Sequence, residues 1–232
     1  MQRLIVFVLI FGLAPAFALT DDIVVELLVD LYTASYTGMT EGEVFAAYGT
    51  TESELNAYLD SLPPKRQDQI WERLEEGYYA FLDSRFEDFY GKPPALFTAT
   101  GLDGGVYELE GNLGGGVLFV NLFATWCPPC EDEIPHFVAL IEEYGGRFGV
   151  VGVSLDDFLQ VGDLGAFAEN LSVNYPLVLY TQTEEEAQAY YAVESIPTTW
   201  VVDPEGLVRK VIVGSRSEEE FREIIDSYLV GD

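Results

Sequence analysis

Cysteine is scarce in this chain. Only Cys127 and Cys130 occur in 232 residues, and His136 is the single histidine. Two cysteines three positions apart exclude a multi-disulfide scaffold. A bridge across so short a loop is also a poor staple, because the entropic gain grows with loop length. Two Cys and one His cannot complete a tetrahedral Cys/His zinc site within one chain. Covalent haem attachment needs His directly after the second Cys, and Glu131 stands there. Cation-bearing residues are scarce too, with 11 Lys and Arg against 40 Asp and Glu and a net charge of −29. No basic stripe exists to neutralise phosphates, which argues against nucleic-acid binding. The imbalance is not confined to a tail. Residues 19–93 carry 16 acidic and 5 basic side chains, and residues 94–232 carry 24 and 5. It is a whole-surface property of the kind that keeps a protein soluble in high salt. Acidic runs such as Glu184–Glu186 and Glu218–Glu220 then fit solvated helix faces better than metal sites.

Long hydrophobic runs are missing as well. The stretch from Leu4 to Leu13 falls short of the roughly 20 residues of a membrane span, and nothing later resembles one. Its setting is that of a secretory signal, with Met1-Gln2-Arg3 before it and Ala14-Pro15-Ala16-Phe17-Ala18 after it, a charged start and two overlapping small-x-small cleavage patterns. Residues 1–18 are expected to be a cleaved signal, with an uncleaved N-terminal anchor as the alternative. No cysteine follows the apolar run, which excludes a lipoprotein anchor. Export would place the dithiol where disulfides form and persist.

The remainder divides by pattern. Residues 19–92 are expected to form an all-helical segment. Val25, Leu28, Leu31/Tyr32 and Tyr36 recur at helical spacing up to Gly38. Thr40 with Glu43 and Thr51 with Glu54 are capping boxes. Pro63-Pro64 opens a longer helix whose apolar face is Ile70, Leu74, Tyr78, Phe81/Leu82 and Phe86. These aromatics fit a core better than a ligand cage. From residue 93 onward the pattern is α/β. A short strand is expected at Val106–Leu109 and a buried central strand at Val117–Phe123, apolar except for Asn121. A helix follows Cys130. Strands at Phe148–Ser154, Leu177–Tyr180, Thr199–Val202 and Leu207–Val213 alternate with helices near Val161–Asn170, Glu184–Tyr191 and Ser217–Leu229. That alternation implies a mixed or parallel sheet covered on both faces.

A lone Cys-x-x-Cys entering a helix after an apolar strand is the layout of a redox dithiol. Here it sits in Val120-Asn121-Leu122-Phe123-Ala124-Thr125-Trp126-Cys127-Pro128-Pro129-Cys130, followed by Glu133-Ile134-Pro135. Val150-Val151-Gly152-Val153-Ser154 and Ser195-Ile196-Pro197-Thr198-Thr199-Trp200-Val201-Val202-Asp203 come later, in that order. These four segments resemble the thioredoxin superfamily, and more narrowly the TlpA/ResA group of exported thiol–disulfide oxidoreductases, over about residues 94–232. Phe123 departs from the tryptophan usual in that group, and Ser195 from the glycine common before the cis-proline. The resemblance implies a thioredoxin-like fold with a central mixed sheet flanked by helices, preceded here by the helical segment.

Chemistry follows from placement. A thiolate is the nucleophile of disulfide exchange. Cys127, at the tip of a helix, is expected to attack and Cys130, one turn inside, to resolve. Pro128 and Pro129 offer no N–H to the Cys127 sulfur, so the thiolate is less stabilised and the couple more reducing; the surrounding negative charge acts the same way. By resemblance, Glu133 is a partly buried acid that tunes the thiols and shuttles a proton, and Pro197 is the cis-proline opposite the dithiol. Ile196 and Trp126 would then border a docking edge for an extended substrate. The expected substrates are cysteine-containing proteins, apocytochrome c among the candidates or disulfides in general. A membrane thiol electron-transfer protein would supply electrons, and neither cofactor nor metal is required. Two other functions fit less well. A peroxiredoxin-like peroxide reductase would want Thr three residues before the nucleophile, where Ala124 stands. A redox-switched binding module would hold a partner through the helical segment.

Overall fold

The computed structural model describes residues 19–156, 161–193 and 195–229; the expected signal, 1–18, lies outside them. The chain divides into two compact units after Leu82, so residues 83–92, which the sequence pattern groups with the helices, fall in the second unit.

The first unit contains α1 (Asp21–Thr37), α2 (Glu41–Tyr48), α3 (Glu52–Ser61) and most of α4 (Pro64–Ser84). Its helix starts are chemically specified. Thr40 and Glu43 cap α2 reciprocally, and Thr51 and Glu54 do the same for α3, each cap being worth about 1 kcal/mol. Gly38 and Gly49 close α1 and α2 with φ of 76° and 61°, a left-handed backbone that favours glycine. Val24, Leu27, Leu28, Val44, Leu55, Ile70 and Leu74 form the core. Tyr32 does not join it, being 58% exposed. The neighbouring Thr33 takes the buried position and satisfies its hydroxyl on the Val29 carbonyl at 2.8 Å, while Tyr32 rests edge-on against Tyr78.

The second unit is built on a five-stranded sheet of order β5-β4-β3-β6-β7. These strands are β3 (Val117–Phe123), β4 (Phe148–Ser154), β5 (Leu177–Leu179), β6 (Thr198–Val202) and β7 (Val208–Val213). The pairs β3–β4 and β4–β5 are parallel, and β3–β6 and β6–β7 antiparallel. The sheet is therefore mixed, as the alternation of elements suggests. A hairpin of β1 (Thr98–Thr100) and β2 (Val106–Glu108) precedes it; the sequence pattern does not mark β1, since three residues carry too little periodicity to stand out.

Helices α5 (Pro128–Tyr144), α6 (Val161–Asn170), α7 (Glu185–Tyr190) and α8 (Glu218–Leu229) follow the strands in turn. Phe137 and Leu140 of α5 and Phe221 and Ile225 of α8 pack with Phe119, Val201 and Ile212 of the sheet. On the opposite face Trp200 is enclosed by Phe86, Phe89, Tyr190 and Tyr191. Phe86 is thus not on α4, whose periodicity it continues. The helix ends at Ser84, the chain tightens into a 3₁₀ turn at Glu87–Phe89, and the ring packs 5.5 Å from Trp200. Every residue of β3 is buried, which makes the central strand a rigid mount for the turn at its C-terminal end.

Candidate active site

The turn between β3 and α5 carries the dithiol. Cys127 is the N-cap of α5, and its N–H donates to the Ala124 carbonyl at 3.2 Å. Cys127 and Cys130 are joined by a disulfide, with Cα atoms 5.3 Å apart. Cys130 is fully buried and Cys127 is 5% exposed. The order of exposure agrees with Cys127 as the outer sulfur, but packing at the helix tip leaves much less of it open than position alone suggests. The first turn directs little toward that sulfur. Pro128 and Pro129 have no N–H, and the N–H groups of Cys130 and Glu131 both donate to the Cys127 carbonyl, at 3.0 and 3.1 Å.

The loop before β6 meets this tip. The Ile196–Pro197 peptide is cis, and it adopts that form with Ser195, not glycine, before it. The Ile196 carbonyl oxygen lies 3.8 Å from the Cys127 sulfur. The Gly214 N–H donates to the Pro197 carbonyl at 2.8 Å and ties the loop to the end of β7. Pro197 is buried and Ile196 half-buried. Trp126, beside Cys127 in the chain, is 63% exposed, so it is a surface side chain and not part of the core.

Glu133 lies one turn beyond Cys130 on the inner side of α5, 1% exposed. Its Oε1 accepts a 2.7 Å hydrogen bond from the Asn121 amide on β3. Burial pushes its carboxyl up to about 8; the Asn121 hydrogen bond and the Arg216 guanidinium oppose that rise. A carboxyl in that range can take or release a proton near neutral pH. Arg216 belongs to the turn after β7, where its guanidinium donates to the carbonyls of Val213, Gly214 and Ser215. Its own carbonyl lies 3.2 Å from Nδ1 of His136, which gives the lone histidine a packing role.

Two features of the site carry no clear sequence mark. Asn121 is visible only as the one polar residue of an apolar strand, and its partners Glu133 and Thr199 are 12 and 78 positions away. Asp156, 1% exposed and two residues past the end of β4, accepts from the Thr125 N–H at 3.0 Å, the Thr125 hydroxyl at 2.7 Å and the Ser154 hydroxyl at 2.6 Å. It therefore clamps the residue two before Cys127, and no local pattern marks it.

The AhpC/TSA family model matches residues 90–211. The chain belongs to the AhpC/TSA family. Within it, the chain is 30% identical over 150 residues to the thiol-disulfide oxidoreductase ResA of Geobacillus thermodenitrificans, covering 65% of this chain and 84% of that protein. It is also 30% identical over 137 residues to the thioredoxin-like protein YneN of Bacillus subtilis, covering 59% and 78%. Among solved structures, a thioredoxin-family thiol:disulfide interchange protein from Chlorobium tepidum aligns with a TM-score of 0.53 and 29% identity, over 59% of this chain and 95% of that one. The second unit has the thioredoxin-like fold, and the chain is a thioredoxin-like thiol–disulfide oxidoreductase of this family.

Proposed function

We propose that the protein is an exported reductant of protein disulfides. The observation that carries the reading is the environment of the Cys127 sulfur. No first-turn N–H is aimed at it, and a carbonyl oxygen stands 3.8 Å away. A sulfur that meets acceptors in place of donors is poorly stabilised as a thiolate. When the reduced form is poorly stabilised the couple is reducing, because strong oxidants owe their potential to a stabilised reduced form. The reduction potential is expected at or below about −270 mV, the thioredoxin range, and far from the roughly −120 mV of a strong oxidase. Equilibration with a dithiothreitol buffer measures it, and a value near the oxidase end would overturn the direction.

In this reading the Cys127 thiolate attacks a substrate disulfide, forms a mixed disulfide and releases one substrate thiolate. Cys130 loses its proton to the Glu133 carboxylate and attacks the Cys127 sulfur. The second substrate sulfur leaves as a thiolate that takes up the proton held by Glu133, and the Cys127–Cys130 disulfide remains. Two electrons per turnover must then come from a dithiol donor, which for an exported protein implies a membrane thiol electron-transfer partner. The substrates are cysteine-containing proteins, and apocytochrome c in cytochrome c maturation is one fit. Export is supported by the composition of residues 1–18; no helix among the described residues is long and apolar enough to cross a membrane. Peroxide reduction fits poorly, because the fully buried Ala124 offers no hydroxyl beside the nucleophile.

Docking uses the edge formed by Ile196 and the exposed Trp126, with the cis-proline loop pairing to an extended substrate strand. Trp126→Ala is expected to raise KM for a protein disulfide about tenfold, the cost of losing an interfacial aromatic, with kcat within about twofold and an unchanged unfolding midpoint. Steady-state kinetics with a reduced-enzyme regenerating system measure this. A loss in kcat with constant KM would mean that Trp126 shapes the dithiol and does not dock substrate.

A further inference from the structure

Asn121 occupies the middle of the central strand, fully buried among apolar neighbours. An amide there costs stability unless it is bonded, and a Val or Leu would suit the strand better. Its nitrogen makes two bonds, to Glu133 Oε1 at 2.7 Å and to Thr199 Oγ1 at 3.0 Å. One amide therefore joins three elements: the dithiol helix, the central strand, and the strand that begins directly after the cis-proline. Both N–H groups are used. The remaining oxygens, Asn121 Oδ1 and Glu133 Oε2, have no hydrogen-bond partner among the described residues. This is not the pattern of a polar residue that packing merely tolerates. The amide is turned so that both donors serve named acceptors and the carboxyl has a single defined orientation.

We propose that Asn121 is a positioning residue for disulfide exchange, holding the Glu133 carboxyl in place behind the dithiol and linking it to the strand that carries the docking loop. The proposal rests on the reading of Glu133 as the proton carrier. The chemistry selects an amide. Aspartate would face Glu133 with a second carboxylate, and leucine would leave Oε1 without a donor. Other groups that bear on Glu133 are Arg216 from the turn after β7 and Tyr175 from the segment before β5, whose phenol is raised by burial and by the nearby carboxylate. His136, one turn along α5, contacts the Arg216 carbonyl.

The test compares Asn121→Leu, Glu133→Gln and the double variant by the pH dependence of kcat and KM with a protein disulfide. A donor to the carboxylate favours its ionised form, so Asn121→Leu should move the Glu133-dependent limb up by about one pH unit. At pH 7 that lowers kcat roughly tenfold with KM unchanged. In the Glu133→Gln background Asn121→Leu should add less than about twofold, as expected for two groups acting as one unit. An equal loss in both backgrounds, or an unmoved profile, overturns the proposal. If Glu133→Gln slows turnover while Asn121→Leu is silent, only the positioning role falls; if Glu133→Gln itself matches the wild type, the reading of Glu133 falls with it. Should Asn121→Leu not fold, Thr199→Val and Thr199→Ser decide. The valine variant should shift the profile in the same direction and the serine variant restore it, and identical profiles for both overturn the proposal.

Discussion

Cys127→Ser is expected to abolish disulfide reduction, lowering kcat/KM by at least about 10⁴-fold, because a serine hydroxyl at neutral pH does not attack a disulfide. Cys130→Ser behaves differently. The outer sulfur still attacks, but nothing releases the product, so a covalent enzyme–substrate species accumulates and is seen on a non-reducing gel. The asymmetry follows from the site: Cys127 keeps the only residual exposure of the pair and Cys130 has none. Loss of the bridge itself costs little fold stability. By the loop-entropy relation a four-residue loop is worth about 2 kcal/mol, small beside a 10⁴-fold kinetic effect that is read on folded protein. If Cys130→Ser lost all attack and Cys127→Ser formed the adduct, the roles would be reversed. The adduct is also the means of naming the substrate, since the trapped partner is carried through purification.

Much of the fold is legible because local chemistry and tertiary structure agree. The capping boxes at Thr40/Glu43 and Thr51/Glu54 form as the sequence suggests, and Ser217 with Glu220 makes a third at the start of α8. The apolar run Val117–Phe123 is the buried central strand. The illegible parts depend on distant partners. Phe86 fits the period of α4, yet it leaves the helix to pack on Trp200, because an aromatic cluster gains more from enclosing a large ring than from one more helical turn. Tyr32 and Leu31 both fit the face of α1, and only the packing decides that Thr33 is buried and Tyr32 is not.

The site divides the same way. Cys127, Cys130, Glu133, Ile196 and Pro197 lie where short motifs put them. Cys127 is closed in by packing at the helix tip, to which the Ile196 carbonyl oxygen, 3.8 Å away and 69 positions along the chain, contributes a neighbour that no window of sequence contains. Asp156 and Asn121 act across strands, each bonded to residues that the β3–β4 and β3–β6 pairings bring together. A polar residue inside a fully apolar strand is the one available signal. It says that a partner must exist without saying which, since a buried amide has to be satisfied by something.

Glu133→Gln is expected to change both the rate and the pH dependence of stability, and the second effect is the more diagnostic. The Glu133 carboxyl titrates near 4.5 in its ordinary state and near 8 in the folded chain, raised first by burial. Between those values the folded chain holds a proton that the unfolded chain has released. Stability therefore falls as pH rises from about 4.5 to about 8 and levels off above that, by an amount on the order of 3–5 kcal/mol. Glutamine has no such titration. It can still accept from Asn121, but its amide nitrogen takes the place of Oε2, which has no partner among the described residues, at a pH-independent cost of about 1–3 kcal/mol. The two curves should therefore cross. Glu133→Gln is the less stable protein near pH 5 and the more stable one at pH 9, as measured by urea denaturation of the oxidised form. In kinetics the variant should lose about 10²-fold in kcat, the lower range for a proton-transfer group, together with the limb near pH 8. Parallel stability curves would mean that the carboxyl is not buried as a neutral acid, and they would remove the basis for its role as proton carrier. Crossing curves with unaltered kinetics would make Glu133 a buried acid that the reaction does not use.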